Sequence, residues 1–206
     1  MENAKKEAEA QEESKRLDGR MLFFLRASKD NKTPNCYSLS GLDLGEARTR
    51  IVARTLAFNT SLTTLHLSRK GISDKEGQDL ARALLTNTTL RKIELEFNCL
   101  GMQTAKVLAL ALRRNKTLRY LDLESNELTR EGEETGGVEE MIQALQHNTT
   151  LLSLNMANNR LDEQIGRQFS DLFNPKRMNQ ETLIDFEFGF NQFRLEEVST
   201  LSKTLC

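Results

Sequence analysis

Apolar residues return along this chain in two alternating rhythms. Leu62, Leu65, Leu67 and Ile72 are echoed 28 residues later by Leu90, Ile93, Leu95 and Leu100, and after 28 more by Leu118, Leu121, Leu123 and Leu128. The template returns after 33 residues at Leu151, Leu154, Met156 and Leu161, and after 32 at Leu183, Phe186, Phe188 and Phe193, so the extra residues are loops. A weaker copy, Pro34, Tyr37, Leu39 and Leu44, precedes them all, which sets repeat starts at 34, 62, 90, 118, 151 and 183. Within each unit the alternating apolar pair predicts a short strand. Residues at three- and four-residue spacing, Gly77, Leu80, Ala81 and Leu84 or Ala105, Leu108, Ala109 and Leu112, predict a helix with a single apolar stripe. Gly166, Phe169 and Phe173 continue that stripe. One strand and one helix cannot bury their apolar faces alone, so the units must stack. The expected fold is an α/β curved solenoid, a horseshoe of about six repeats with parallel strands on the concave side and helices on the convex side.

Polar residues recur as regularly. Asn98, Asn126, Asn159 and Asn191 share one position in the turn after the strand, where an amide can serve backbone groups unpaired by the bend. Lys70 and Leu42 stand there in the second and first repeats, so this column is expected to be imperfect at its N-terminal end. Each helix closes on a second asparagine, in Asn59-Thr60-Ser61, Asn87-Thr88-Thr89, Asn115-Lys116-Thr117 and Asn148-Thr149-Thr150. These have the form of glycosylation acceptors, but recurrence at one repeat position favours a helix-ending role. One step further back, Met21, Phe24 and Leu25 continue the helix stripe, Asn31 closes it, and Asp18 aligns with Asp74 as an N-cap. Residues 17–33 therefore read as an N-terminal capping helix, and residues 1–16 as a charged tail or solvated helix.

The motif Leu-x-x-Leu-x-Leu-x-x-Asn-x-Leu at a 28-residue period resembles the ribonuclease-inhibitor class of leucine-rich repeats, over residues 34–206. Within that class, the strand Thr117-Leu118-Arg119-Tyr120-Leu121-Asp122-Leu123-Glu124-Ser125-Asn126 and the aromatic Phe186-Glu187-Phe188-Gly189-Phe190 are similar to the C-terminal domain of tropomodulin and leiomodin. Those proteins bind actin filament ends, although their actin- and tropomyosin-binding helices ahead of the repeats have no counterpart here. The resemblance implies a non-catalytic protein–protein interaction module, a structural or adaptor subunit of a larger cytoskeletal or ciliary assembly. The alternative it leaves open is a regulator of an enzyme or small GTPase.

Composition narrows the partner. With 29 Lys and Arg against 30 Asp and Glu, the net charge of −1 gives no whole-chain argument for nucleic acid or an anionic membrane. The N-terminal residues lack the apolar stretch of a signal peptide, and no apolar run approaches the roughly 20 residues that span a bilayer. A cytoplasmic protein is expected. Three scattered cysteines, Cys36, Cys99 and Cys206, fit reduced thiols better than a disulfide framework.

Local charge says more. Strand residues that alternate with the core positions face the hollow of the horseshoe. They are Lys92, Glu94 and Glu96; Tyr120, Asp122 and Glu124; Ser153, Asn155 and Ala157; and Asp185, Glu187 and Gly189. Six carboxylates face one ammonium, a surface expected to favour a basic partner segment, with Tyr120 as an aromatic anchor. Phe186, Phe188, Phe190 and Phe193 concentrate four of the ten phenylalanines in the last strand and turn. Their edge is expected to be covered by a partner subunit, with Phe190 and Phe193 in contact. Two inserted loops, the acidic one around Glu131, Glu133 and Glu134 and the basic one from Asn174 to Gln180, are either contacts or tolerated changes of length.

No chemistry of catalysis is expected. There is no Gly-rich phosphate loop and no Cys/His metal spacing. His66, on the concave side, and His147, at a helix end, belong to no pattern of nucleophile, base and oxyanion turn. Cys99, in a turn, reads as a packing residue. No cofactor and no metal are expected.

Overall fold

The computed structural model describes residues 19–39, 44–130, 132–173, 185–189 and 191–192. A first helix, α1 (Gly19–Lys29), is followed by β1 (Cys36–Ser38), α2 (Gly45–Phe58), β2 (Thr64–His66), α3 (Asp74–Leu84), β3 (Lys92–Glu94) and α4 (Met102–Arg114). The array continues through β4 (Tyr120–Asp122), α5 (Gly136–Leu145), β5 (Ser153–Asn155), α6 (Glu163–Leu172) and β6 (Asp185–Glu187). The strands form one sheet in sequence order, and every neighbouring pair is parallel. Tyr37, Leu65, Ile93, Leu121, Leu154 and Phe186 stand side by side across it, so the spacing of the template is the register of the sheet. The α/β solenoid is therefore as expected.

The core is the repeated leucine set. From Leu62 to Leu161, all four template residues of each unit are buried, as are Leu80, Ala81, Leu84, Ala105, Leu108, Ala109 and Leu112 on the helix stripes. Each such leucine contributes about 1.5–3 kcal/mol by leaving water. Two helical glycines let successive helices close up. A Cβ on Gly77 would lie 2.4 Å from Thr104 Oγ1, and one on Gly137 would lie 2.4 Å from the Met102 carbonyl oxygen.

Caps link one repeat to the next. Ser73, not Asp74, is the N-cap of α3, with a capping box closed by Glu76. Asp74 serves the following helix instead, its carboxylate accepting from the Gly101 N–H at 2.9 Å and the Thr104 N–H at 2.7 Å at the start of α4. Asp18 lies outside the described residues. Asp162 caps its own helix, accepting from the Ile165 N–H at 2.8 Å.

Both asparagine columns form. In the turn column, Asn98 Nδ2 donates to the carbonyls of Leu67 and Leu95, Asn126 to Leu95 and Leu123, Asn159 to Leu123 and Met156, and Asn191 to Met156 and Phe188. Each reaches one carbonyl of its own repeat and one of the repeat before, which ties the turns together. Asn98 Oδ1 accepts from the N–H of Lys70 and of Ile72, so among the described residues the asparagines of this column start at the third repeat. Asn159 Oδ1 has no partner, and the break faces the repeat that carries the acidic insertion. The second column does more than end helices. Asn87 Nδ2 donates to the carbonyls of Leu56 and Asn59, and Asn115 Nδ2 to those of Leu84 and Asn87. Their Oδ1 atoms receive the N–H groups of Thr89 and Leu90, and of Thr117 and Leu118. Asn59, Asn87, Asn115 and Asn148 are all buried, which closes them to glycosylation in the folded chain.

The turns after β2, β3, β4 and β5 share a feature that carries no glycine signal. Arg69, Phe97, Ser125 and Asn158 occupy one template position, and all have φ between 53° and 57°. Left-handed backbone at non-glycine residues costs on the order of 1–3 kcal/mol each, and it is sustained here because the asparagine column fixes the next residue. At the far end, Phe186 is buried and Phe188 half-buried. The Phe186 ring centroid lies 4.7 Å from that of Phe169 and 5.1 Å from those of Phe173 and Phe188. These two phenylalanines close the core rather than forming an exposed edge. Among the described residues no helix is long and apolar enough to cross a membrane.

Candidate functional site

Three-residue strands whose centre faces the core, buried in β2 to β6 and half-buried at Tyr37 in β1, leave their first and third residues facing the hollow. The first row runs Cys36, Thr64, Lys92, Tyr120, Ser153, Asp185, and the second Ser38, His66, Glu94, Asp122, Asn155, Glu187. A third row begins where the strands end. The Glu96 carbonyl accepts from the Arg69 N–H, that of Glu124 from Phe97, and that of Ala157 from Ser125. Neighbouring parallel strands lie about 4.8 Å apart. Lys92, Glu94, Glu96, Tyr120, Asp122, Glu124, Asp185 and Glu187 are thus brought onto one surface. Phe190 and Phe193 lie outside the described residues.

The carboxylates are not equally committed. Glu94 is held from two sides, by Lys92 Nζ at 2.8 Å on Oε1 and by His66 Nδ1 on Oε2. Burial pushes its carboxyl up, but the hydrogen bonds and charges of Lys92 and His66 outweigh it and keep Glu94 below the ordinary glutamate value. The same contact raises the Lys92 ammonium above the usual lysine value, against the effect of burial and with help from Asp122 and Glu96. Asp122 behaves oppositely. Burial first, then repulsion from Glu96 and Glu124, raises its carboxyl above the ordinary aspartate value, even though its Oδ1 accepts the Glu124 N–H. Asn155 Nδ2 bridges Asp122 and Glu124 at 3.3 and 3.2 Å, while Asp185 accepts from Ser153 Oγ at 2.9 Å. Glu96 Oε2 is buried without a hydrogen-bond partner. One lysine therefore satisfies only the near end of the strip, and its middle, around Glu96, Asp122 and Glu124, has carboxylate in excess. Tyr120 stands beside this excess with 43% of its surface exposed.

Several neighbours on this surface escape a reading by template position. Cys36 Sγ lies 3.2 Å from His66 Nε2, a diagonal contact between rows. Arg69 stacks its guanidinium 3.7 Å from the centroid of the exposed Phe97 ring, at the strand-exit rim. Cys99, expected to pack, is exposed instead. On the strand-entry rim, Arg91, Lys116 and Arg119 line a cleft of about 260 Å³ with threonines between them. The hollow and its rim thus carry opposite charge, which the net charge conceals. Among the described residues no three His, Cys, Asp or Glu side chains are placed to hold a metal ion.

Two segments of the chain, residues 114–132 and 147–166, match the Leucine Rich repeat family model. No curated protein sequence matches the chain. Among solved structures, Leiomodin-1 Actin-Binding Site 2 (ABS2) is 19% identical, with 88% of this chain and 84% of that one covered at a TM-score of 0.58. The tropomodulin C-terminal domain of Caenorhabditis elegans is 18% identical, with 76% and 90% covered at a TM-score of 0.62. The chain carries leucine-rich repeats and folds as an α/β leucine-rich-repeat solenoid, similar in fold to these leiomodin and tropomodulin domains.

Proposed function

We propose that this chain is a non-catalytic protein-interaction module whose acidic hollow receives a basic segment of a partner. The observation that carries this reading is the excess of carboxylate at Glu96, Asp122 and Glu124, with Asp122 already hard to ionise among its neighbours. A partner's lysine or arginine relieves that repulsion, and Tyr120 offers an exposed ring for packing. The setting we propose is cytoplasmic and cytoskeletal. A leiomodin structure described by its actin-binding site supports it, being similar in fold over most of this chain. Contacts through Phe190 and Phe193 belong to the same proposal, as a second surface covered by a neighbouring subunit.

The test compares wild type with a set carrying Glu94→Lys, Glu96→Lys, Asp122→Lys and Glu124→Lys, at low salt and with melting temperatures measured alongside. Basic proteins captured from a cytoskeletal fraction by wild type are expected to be lost from the set, with affinity falling at least about ten-fold. Unchanged capture by a folded variant overturns the acidic hollow as the site. Cosedimentation with filamentous actin tests the setting separately, and absence of binding there removes actin as the partner.

A further inference from the structure

At its N-terminal end the hollow changes character. Cys36 Sγ lies 3.2 Å from His66 Nε2, His66 Nδ1 is hydrogen-bonded to Glu94 Oε2, and Glu94 Oε1 accepts from Lys92 Nζ at 2.8 Å. The first three come from the adjacent strands β1, β2 and β3. A carboxylate accepting from Nδ1–H sets the imidazole tautomer and leaves the Nε2 lone pair toward the thiol. Nucleophile, base and orienting carboxylate therefore stand in one line. Cys36 is exposed and in no disulfide, so a reagent has access to it. Cys99 is exposed too, but among the described residues its thiol faces no such base.

We propose that Cys36 is a reactive thiol, a modification site for hydrogen peroxide at the N-terminal end of the hollow. In the step, the Cys36 S–H proton passes to His66 Nε2 while the sulfur attacks one peroxide oxygen. The S–O bond forms, the O–O bond breaks, and the departing hydroxide takes the proton from Nε2–H and leaves as water. Sulfur is oxidised by two electrons to sulfenic acid and the peroxide is reduced, with no other reactant consumed. Glu94 stays ionised and holds the transient imidazolium. A small neutral oxidant suits this surface, because Glu94, Glu96 and Asp122 repel anionic reagents such as glutathione disulfide.

The test treats the full chain with hydrogen peroxide in the presence of dimedone, which traps sulfenic acid, and reads the adducts at Cys36 and Cys99 by peptide mass spectrometry. Cys36 is expected to be trapped at least about ten-fold faster than Cys99. His66→Gln is expected to bring Cys36 down to the rate of Cys99 while leaving Cys99 unchanged. Equal rates in the wild-type chain overturn the proposal without any variant. So does a folded His66→Gln protein in which Cys36 keeps its advantage.

Discussion

Asn87 and Asn115 inside the solenoid, and Glu94 and Asp122 on its hollow, are each one repeat apart and one strand apart. The asparagines end with both ends of the amide occupied, two carbonyls taken by Nδ2 and two N–H groups taken by Oδ1. The two carboxylates end unequally. Repetition brings like charges together, Lys92 and His66 settle only Glu94, and Asp122 is pushed toward its neutral form. A neutral amide that donates and accepts gains from being stacked on its copies, because each copy offers what the next one needs. A carboxylate only accepts when ionised, so a stack of them is completed from outside. The columns therefore hold the array together, and the hollow is where it has unsatisfied capacity.

The sharpest way to break this contrast is to cut one column. Asn115→Ala leaves the Leu84 and Asn87 carbonyls without their donor and the Thr117 and Leu118 N–H groups without their acceptor. A loss of about 2–4 kcal/mol is expected, read as a lower urea midpoint. A smaller effect separates the two ends of the turn column. Asn126 Oδ1 accepts from the Leu100 N–H, whereas Asn159 Oδ1 has no partner. Asn159→Ala is therefore expected to cost about 1 kcal/mol less than Asn126→Ala in the same titration.

The smallest effect belongs to the hollow itself. The carboxyl of Asp122 is raised in the folded chain above its ordinary value, so ionising it works against folding at neutral pH. That penalty is present above the folded value and is relieved as pH falls toward the ordinary aspartate value. Asp122→Asn keeps an oxygen for the Glu124 N–H and is expected to be slightly more stable than wild type at pH 7, by less than about 1 kcal/mol after solvent screening. The advantage is expected to shrink as the two proteins are melted at decreasing pH toward 4. An advantage that grows on acidification would show that Asp122 is not under repulsion.

Much of this was legible from residue order. Apolar pairs at a constant step set the strand centres, and the register of Leu65, Ile93 and Leu121 follows directly. The row of carboxylates follows too, because alternate residues of a strand share a face. What stayed hidden depends on which rotamer crosses from one repeat to the next. Asp74 reaches forward to cap α4 although its position suits its own helix. Cys36 meets His66 diagonally, across the two rows, although His66 and Glu94 are neighbours in one row. The left-handed turns at Arg69, Phe97 and Ser125 carry no glycine to announce them. Phe186 turns inward because Phe169 and Phe173 are near enough to pack against, and Phe188 stacks on Phe186 in turn.

The central claim, that the hollow binds a basic segment, is met most directly by following backbone amide resonances during titration with a lysine-rich peptide and a glutamate-rich peptide of equal length. The lysine-rich peptide is expected to move Tyr120, Asp122, Ser153 and Asn155, with shifts that fade as salt is raised, while α3 and α4 stay unmoved and the glutamate-rich peptide leaves the hollow untouched. Amides of β3 to β5 that do not respond to the lysine-rich peptide, or that respond equally to both, would contradict it.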